Sequence, residues 1–341
     1  MKKILLFIVA ATMLLSACHP ASSDEPQKKG SSGKTLELMI VANRDVYQGE
    51  IKDFVDSLFG RPQAGLLVPE KMFDIVNIPL SSYENSEMFQ NHRNILIFDI
   101  RPDNPDKVYM HIDEYAAPQA IFDFAVKDRA TLFQMLLKYE QSILDHIYTN
   151  EHRRVYKAFK GMENHEITAA IRKQFGFGLT FSNEFAIAKQ KEDFAWIRKE
   201  AKDFGIGVLI DEFPYTDQNV FDEQHILDRL DTIMKRHVPA SADNSYTGIE
   251  RRRDENGEYL APIVRRQVEF DSNYCIETRG SWRSFGDFMA GPFVSYTFLS
   301  PGKKKVIMLT GYVYCPRNKP WTKRDLLMQV EGICWSYDPN R

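Results

Sequence analysis

Apolar residues along the chain keep two rhythms, and the switches between them mark out the elements. Leu36 to Ala42 is the first apolar run of strand length. Gly49 to Phe59 then carries Ile51, Phe54, Val55, Leu58 and Phe59 at offsets that share one helix face. After the Gly60-Arg61-Pro62 break, runs at 73–78, 94–100, 108–115 and 120–126 predict strands divided by turn-rich segments. Asp128 suits a helix N-cap, and Leu132, Leu136, Ile143, Ile147, Val155 and Phe159 recur by fours, sevens or eights. One long helix over 128–160 follows, ending at Gly161, with a bend expected near Thr149-Asn150 because a straight one would reach roughly 50 Å.

The second half repeats the style. A helix over 164–175 leads to a Gly176-Phe177-Gly178 break, then to strands at 179–181, 185–188, 194–198 and 205–210 and an amphipathic helix over 222–237. Residues 238–259, rich in Pro, Gly, Asn and Asp, predict a long loop. Strands at 264–270, 274–283, 294–299 and 305–315 precede a last helix from Thr322, with Leu326, Leu327, Val330, Ile333 and Cys334 on its buried side. Strand clusters joined by short turns and followed by helices predict an α+β fold with antiparallel pairing. ILIFDI (95–100) and GVLIDEF (207–213) look alike as central strands, which suggests a weak internal duplication between an N-terminal half, 35–175, and a C-terminal half, 176–341.

The N-terminus reads differently. Lys2 and Lys3, an apolar run from Ile4 to Leu15 and the small residues Ser16-Ala17 make a secretory signal, too short for a permanent span of the bilayer. Leu15-Ser16-Ala17-Cys18 resembles the lipobox of bacterial lipoproteins, in which cleavage leaves the cysteine as an acylated N-terminus. The composition of 18–34, polar and rich in Ser, Pro and Gly, predicts a flexible tether. Loss of residues 1–17 leaves 324 residues and lowers Lys+Arg from 44 to 42 against 47 Asp+Glu, a net charge of −5. That balance argues against a nucleic-acid partner. Cys275, Cys315 and Cys334 lack the close spacing of a zinc site; one disulfide among them, or three buried thiols, are the open alternatives.

Candidate chemistry is sparse. Asp99 beside Arg101, and Asp211 with Glu212, stand at the ends of apolar strands; paired carboxylates can divide acid and base work, and acids at strand ends also begin turns. His111 and Asp113 fall on one strand face without a third metal ligand, and His165-Glu166 lacks the second histidine of a zinc-protease helix because Ala169 stands there. GSSGKT (30–35) imitates a phosphate-binding loop, but Lys28 replaces the first glycine and a strand follows instead of a helix. No nucleophile elbow occurs, Arg251-Arg252-Arg253 reads as a solvated loop, and no cofactor or metal is indicated. The densest unusual segment is RGSWRSFGDFMAGPFVSYTF, 279–298. Its Trp282, Phe285, Phe288, Phe293 and Tyr296 could line an aromatic floor for a ligand, or pack a sheet as ordinary core.

The lipobox, LMIVANRDVY, FAWIRKE, GVLIDEFPY and above all the RGSW…DFMAGPFVSYTF block resemble a family of uncharacterised Bacteroidota lipoproteins, the domain of unknown function numbered 4837. The resemblance implies an envelope lipoprotein and supplies no catalytic residues. The expectation is a lipid-anchored envelope protein, at the outer membrane, that binds or assembles with an envelope protein or glycan. The competing expectation is an envelope hydrolase of glycan or peptidoglycan using Asp99, Asp211 or Glu212.

Overall fold

The computed structural model describes residues 28–317 and 320–340; the signal segment, Cys18 and most of the tether lie outside the described residues. The N-terminal unit runs β1 (Glu37–Val41), α1 (Glu50–Phe59), β2 (Asp74–Ile78), α2 (Leu80–Glu84), α3 (Glu87–Gln90), β3 (Asn94–Ile100), β4 (Lys107–Ile112) and β5 (Ala120–Val126). These strands form one sheet in the order β2-β1-β3-β5-β4. The fold is α+β as the pattern suggests, but antiparallel pairing here is confined to β4–β5; β1 lies parallel to β2 and β3, and β3 parallel to β5. Parallel neighbours need a crossover, which α1 supplies between β1 and β2. Helices then cover both faces. Leu38 and Ile40 enter the core shared with α1 and α4 (Arg129–Lys160), whereas Met39 and Val41 pack toward Tyr83 and Phe89 of α2 and α3.

Helix α4 is unbroken through Thr149 and Asn150, where a bend was expected, and its 32 residues reach about 48 Å. The Asp128 carboxylate accepts from Thr131 N at 2.8 Å, satisfying one of the first-turn amides. Next come α5 (His165–Phe175), β6 (Ala186–Lys191), β7 (Phe194–Glu200), β8 (Gly205–Pro214), α6 (Glu223–His237), β9 (Tyr246–Ile249), β10 (Val264–Phe270), β11 (Asn273–Phe285), β12 (Ala290–Leu299), β13 (Lys305–Tyr314) and α7 (Lys323–Cys334). The strands form an antiparallel sheet in the order β10-β11-β12-β13-β8-β7-β6, with β9 pairing the far end of β11. The loop expected over 238–259 therefore contains a strand. Residues 179–181, read as a strand, instead form a buried segment in which Thr180 N donates to Ser336 Oγ at 2.8 Å. The look-alike strands β3 and β8 have parallel and antiparallel neighbours respectively, so their likeness is one of composition and not of topology.

Helix α7 joins the two units. Leu326, Leu327, Val330 and Ile333 pack on the eight-stranded sheet, while Met328 enters the N-terminal core. Glycines permit the close contact on both sides: a Cβ on Gly311 would lie 2.6 Å from Val330, and one on Gly332 only 2.5 Å from Val155 of α4. The start of α7 is held from the other unit, because the Glu70 carboxylate accepts from the amides of Lys323 and Arg324 at 3.2 and 2.8 Å. An acid at this end also complements the helix dipole. Opposite α7, helix α6 covers the second face of the sheet through Ile226, Leu230 and Ile233.

Candidate functional site

The carboxylates singled out in the sequence do not meet. Asp99 is chelated by its neighbour Arg101, with Nε and Nη2 donating at 2.9 and 2.6 Å. Adjacent strand residues point to opposite faces, so Asp211 turns toward α6 and Glu212 away from it. Arg229 of α6 donates to both Asp211 oxygens at 2.6 and 2.8 Å, while Glu212 pairs with Lys305 of β13. Burial pushes the Asp211 carboxyl up, against the pull of Arg229. The arrangement is three separate ion pairs and not an acid–base pair.

The aromatic floor is also taken apart by strand geometry. Trp282 and Phe293 join the core beneath α6, Tyr296 joins the opposite core beneath α7, Phe285 stacks on Tyr246 at 4.8 Å, and Phe288 is fully exposed at 103 % in the turn before β12. Register explains it, since Trp282 faces Gly291 and Tyr296 faces Glu277. Cys275, Cys315 and Cys334 are buried, and none pairs with another among the described residues. His111 is exposed on β4, and Asp113 pairs with Arg153 at 3.1 Å; among the described residues no three potential ligands gather for a metal. Arg251 and Arg252 pair with Asp228, Asp231 and Glu250, and Arg253 lies over the Tyr259 ring, so each arginine of the basic run is engaged within the chain.

A different cluster emerges where the two units meet. Alternation on β11 places Glu277 and Arg279 on the α7 face, and register places Arg266 of β10 opposite Glu277. Arg266 donates to the two Glu277 oxygens at 2.7 and 3.1 Å. Arg279 forks between Glu277, at 2.7 and 3.2 Å, and Glu331 of α7, at 2.8 and 2.9 Å. His152 of α4 ends the chain, its Nε2 3.6 Å from Glu331, near enough for attraction though beyond hydrogen-bond reach. The backbone of Gly65, at φ +82°, covers the stem of Arg279 so closely that a Cβ there would come within 2.7 Å of it.

Charges alternate along this chain, and that decides their ionisation. Burial raises the Glu331 carboxyl, but Arg279 and His152 outweigh it and hold the group down at about 2. Glu277 is lowered in the same way: burial opposes, and Arg279 with Arg266 prevail. Burial lowers Arg279, and its two carboxylates more than restore it. Both acids are therefore carboxylates at neutral pH, with their oxygens occupied by arginine.

Above the chain runs a cleft between α4, β10 and the end of α7. Two adjoining cavities form it, about 540 Å³ over Tyr148, Arg266 and Glu277 and about 400 Å³ over Arg153, Tyr156 and Tyr337. They share Thr149, His152 and Trp335. The Trp335 indole stacks on the His152 ring at 5.1 Å, and among the described residues neither Trp335 Nε1 nor His152 Nε2, both buried, finds a hydrogen-bond partner. Of the carboxyls that line the cleft, Glu277 and Glu331 are held ionised on arginine, and so are not poised to deliver a proton as a general acid would.

None of these residues was chosen from the sequence, although Arg279 opens the segment that was. The available signal was Glu277-Thr278-Arg279, two opposite charges on one face of a strand otherwise apolar enough to be buried. His152, Arg266 and Glu331 carry no comparable mark.

Residues 31–160 match a second family, described as a domain of unknown function (DUF8532), and no curated protein matches the chain. The matched region ends with α4, so the cleft draws one wall from it and the rest from the region that follows. That following region, residues 164–336 and just over half of the chain, matches the family described as a domain of unknown function (DUF4837), and the chain belongs to that family.

Proposed function

We propose that this protein is a lipid-anchored component of the cell envelope, at the outer membrane, that binds or assembles and does not catalyse, with the α4–β10–α7 cleft as its binding site. The observation that carries the non-catalytic part is the state of Glu277 and Glu331, both ionised and both held on Arg279 below the cleft. A ligand there meets the half-exposed guanidinium of Arg266 and aromatic walls from Tyr148, Tyr156 and the Trp335 ring. An envelope glycan or a polar segment of a partner protein fits that chemistry.

Anchoring rests on the signal segment and Cys18. No helix among the described residues is long and apolar enough to cross a membrane. Several acyl chains on one N-terminus give stable attachment where a single chain is marginal. Cys18→Ala should move the protein to the soluble fraction and remove the acyl mass; wild-type protein without acyl mass, retained equally after the substitution, would overturn the anchor. Incubation with peptidoglycan and envelope glycans should release no new reducing ends or amines. Their release would restore hydrolysis, for which the separated Asp99, Asp211 and Glu212 provide no constellation.

A further inference from the structure

The described chain begins at one edge of the N-terminal sheet. Lys28 Nζ donates to the carbonyls of Asp113 and Glu114, Ala117 N donates to Lys29 O at 2.9 Å, and Ser32 Oγ donates to Met88 O at 3.2 Å. Residues 28–32 are thus laid between α3 and the segment that follows β4. Lys28 stands ten positions after Cys18, a span of at most about 35 Å fully extended.

Large apolar side chains are exposed around this point. Met88 of α3 is 63 % exposed, Met110 and Ile112 of β4 are 50 % and 41 % exposed, and Tyr115 just beyond is 44 % exposed. Among the described residues, strand β4 ends the sheet and pairs only with β5. Exposed Lys107, His111 and Glu114 are interspersed here. Met110 and Ile112, opposite Phe122 and Ala120, lie on the α4 face while Met88 projects from α3 on the other, so apolar side chains flank the edge on both sides. An exposed apolar edge without a covering element marks a surface that meets something.

Resting on the lipid-anchor reading, we infer that this edge, formed by α3, β4 and residues 113–117, lies against the lipid headgroups, with Met88, Met110, Ile112 and Tyr115 seated at the bilayer interface. A short tether attached beside an apolar edge holds that edge at high effective concentration near the membrane, so modest apolar contacts suffice to orient the protein. The Tyr115 hydroxyl pairs with that of Tyr83, which leaves the exposed part of its ring to face the interface. Arg153, which lines the cleft, pairs with Asp113 at this edge, so the α4 end of the cleft lies beside the membrane.

The test uses full-length, lipidated protein in vesicles of phosphatidylethanolamine and phosphatidylglycerol that carry a photoreactive headgroup. Flotation and acyl mass are measured on the same sample. Cross-links should concentrate in 86–90 and 107–117, and Met110→Glu with Ile112→Glu should lower their yield about tenfold with flotation and thermal unfolding unchanged. Acylated, floating protein whose cross-links spread evenly or fall elsewhere would overturn the orientation and leave the anchor standing. Protein that is not acylated and does not float overturns both. A lipid-free dimer protecting the β4 amides from hydrogen exchange would assign the edge to a second copy and overturn the inference.

Discussion

Two ion clusters of mirrored composition sit along β11 and differ mainly in burial. Arg279 stands between two carboxylates, Glu277 and Glu331, with all three side chains 4 % exposed or less. Glu250 stands between two arginines, Arg252 at 2.6 Å and Arg283 at 3.2 Å, whose side chains are 58 % and 29 % exposed. Both central groups are shifted toward their charged form, Glu250 to about 2 chiefly through its hydrogen bonds from Arg252. The difference lies in what remains when one partner is lost. Loss of Glu250, itself buried, leaves two arginines that water can solvate, whereas loss of Arg279 leaves Glu331 buried with only His152 near it and Glu277 buried with Arg266 alone.

The largest expected effect is therefore Arg279→Met, costing about 3–5 kcal/mol in denaturant unfolding. A loss below 1 kcal/mol would mean that water reaches the cluster, and the contrast with Glu250 would collapse. Replacing all three members together, Arg279→Met with Glu277→Leu and Glu331→Leu, should recover most of that loss, because an apolar set carries no desolvation penalty. Failure to recover it would show that geometry at the junction, and not uncompensated charge, sets the cost.

Acid provides a second way to sharpen the comparison. A carboxyl lowered on folding contributes stability that is complete above its unfolded value and lost as pH falls through its folded one. For Glu331 and Glu250 that window runs from about 4.5 down to about 2. Glu331→Gln should flatten the fall in unfolding free energy across this window while lowering stability at neutral pH; an unchanged slope would remove Glu331 from the account. Smaller again is Glu250→Ala, costing about 1–2 kcal/mol as charged hydrogen bonds are exchanged for water. Smallest is Arg252→Ala, which should lower thermal unfolding less than Glu250→Ala does, because the lost side chain is largely solvated and Arg283 still pairs with Glu250.

Both clusters also show what the sequence could reveal. Arg252 and Glu250 are two residues apart, and their pairing is local. Glu277 and Arg279 were visible as alternate charges in a strand, but Arg279 and Glu331 are separated by 52 residues and meet only because α7 folds back over the sheet. Asp99, Asp211 and Glu212 drew notice because they end apolar strands, a property that says nothing about what the opposing element carries. The aromatic segment failed as a floor for a related reason. Its residues were counted along the chain, and the pleat then sent Trp282 and Tyr296 into different cores.

Local physics explains which elements were legible. Helix periodicity and caps located α1, α4, α5, α6 and α7, with Asp128, Asn164 and Thr322 each accepting from an amide of the first turn. Strand-length apolar runs located most of the sheet. Pairing direction in the N-terminal unit was not legible, because a run buried on both faces reads alike whether its neighbours are parallel or antiparallel.

By itself, then, the sequence determined the periodicity of the elements, their caps and breaks, and the α+β class, all set by interactions within a few residues. The expectation for Cys18 likewise comes from sequence alone, since that residue lies outside the described part of the chain. Only the tertiary structure decided that β1, β3 and β5 run parallel, that α7 bridges both units, and that His152, Arg266, Glu277, Arg279 and Glu331 form one buried chain under a cleft. The physical reason is that Glu331 and Glu277 stay ionised despite their burial because Arg279 and Arg266 face them, and such neighbours, brought from separate elements, leave no trace in the order of residues along any one of them.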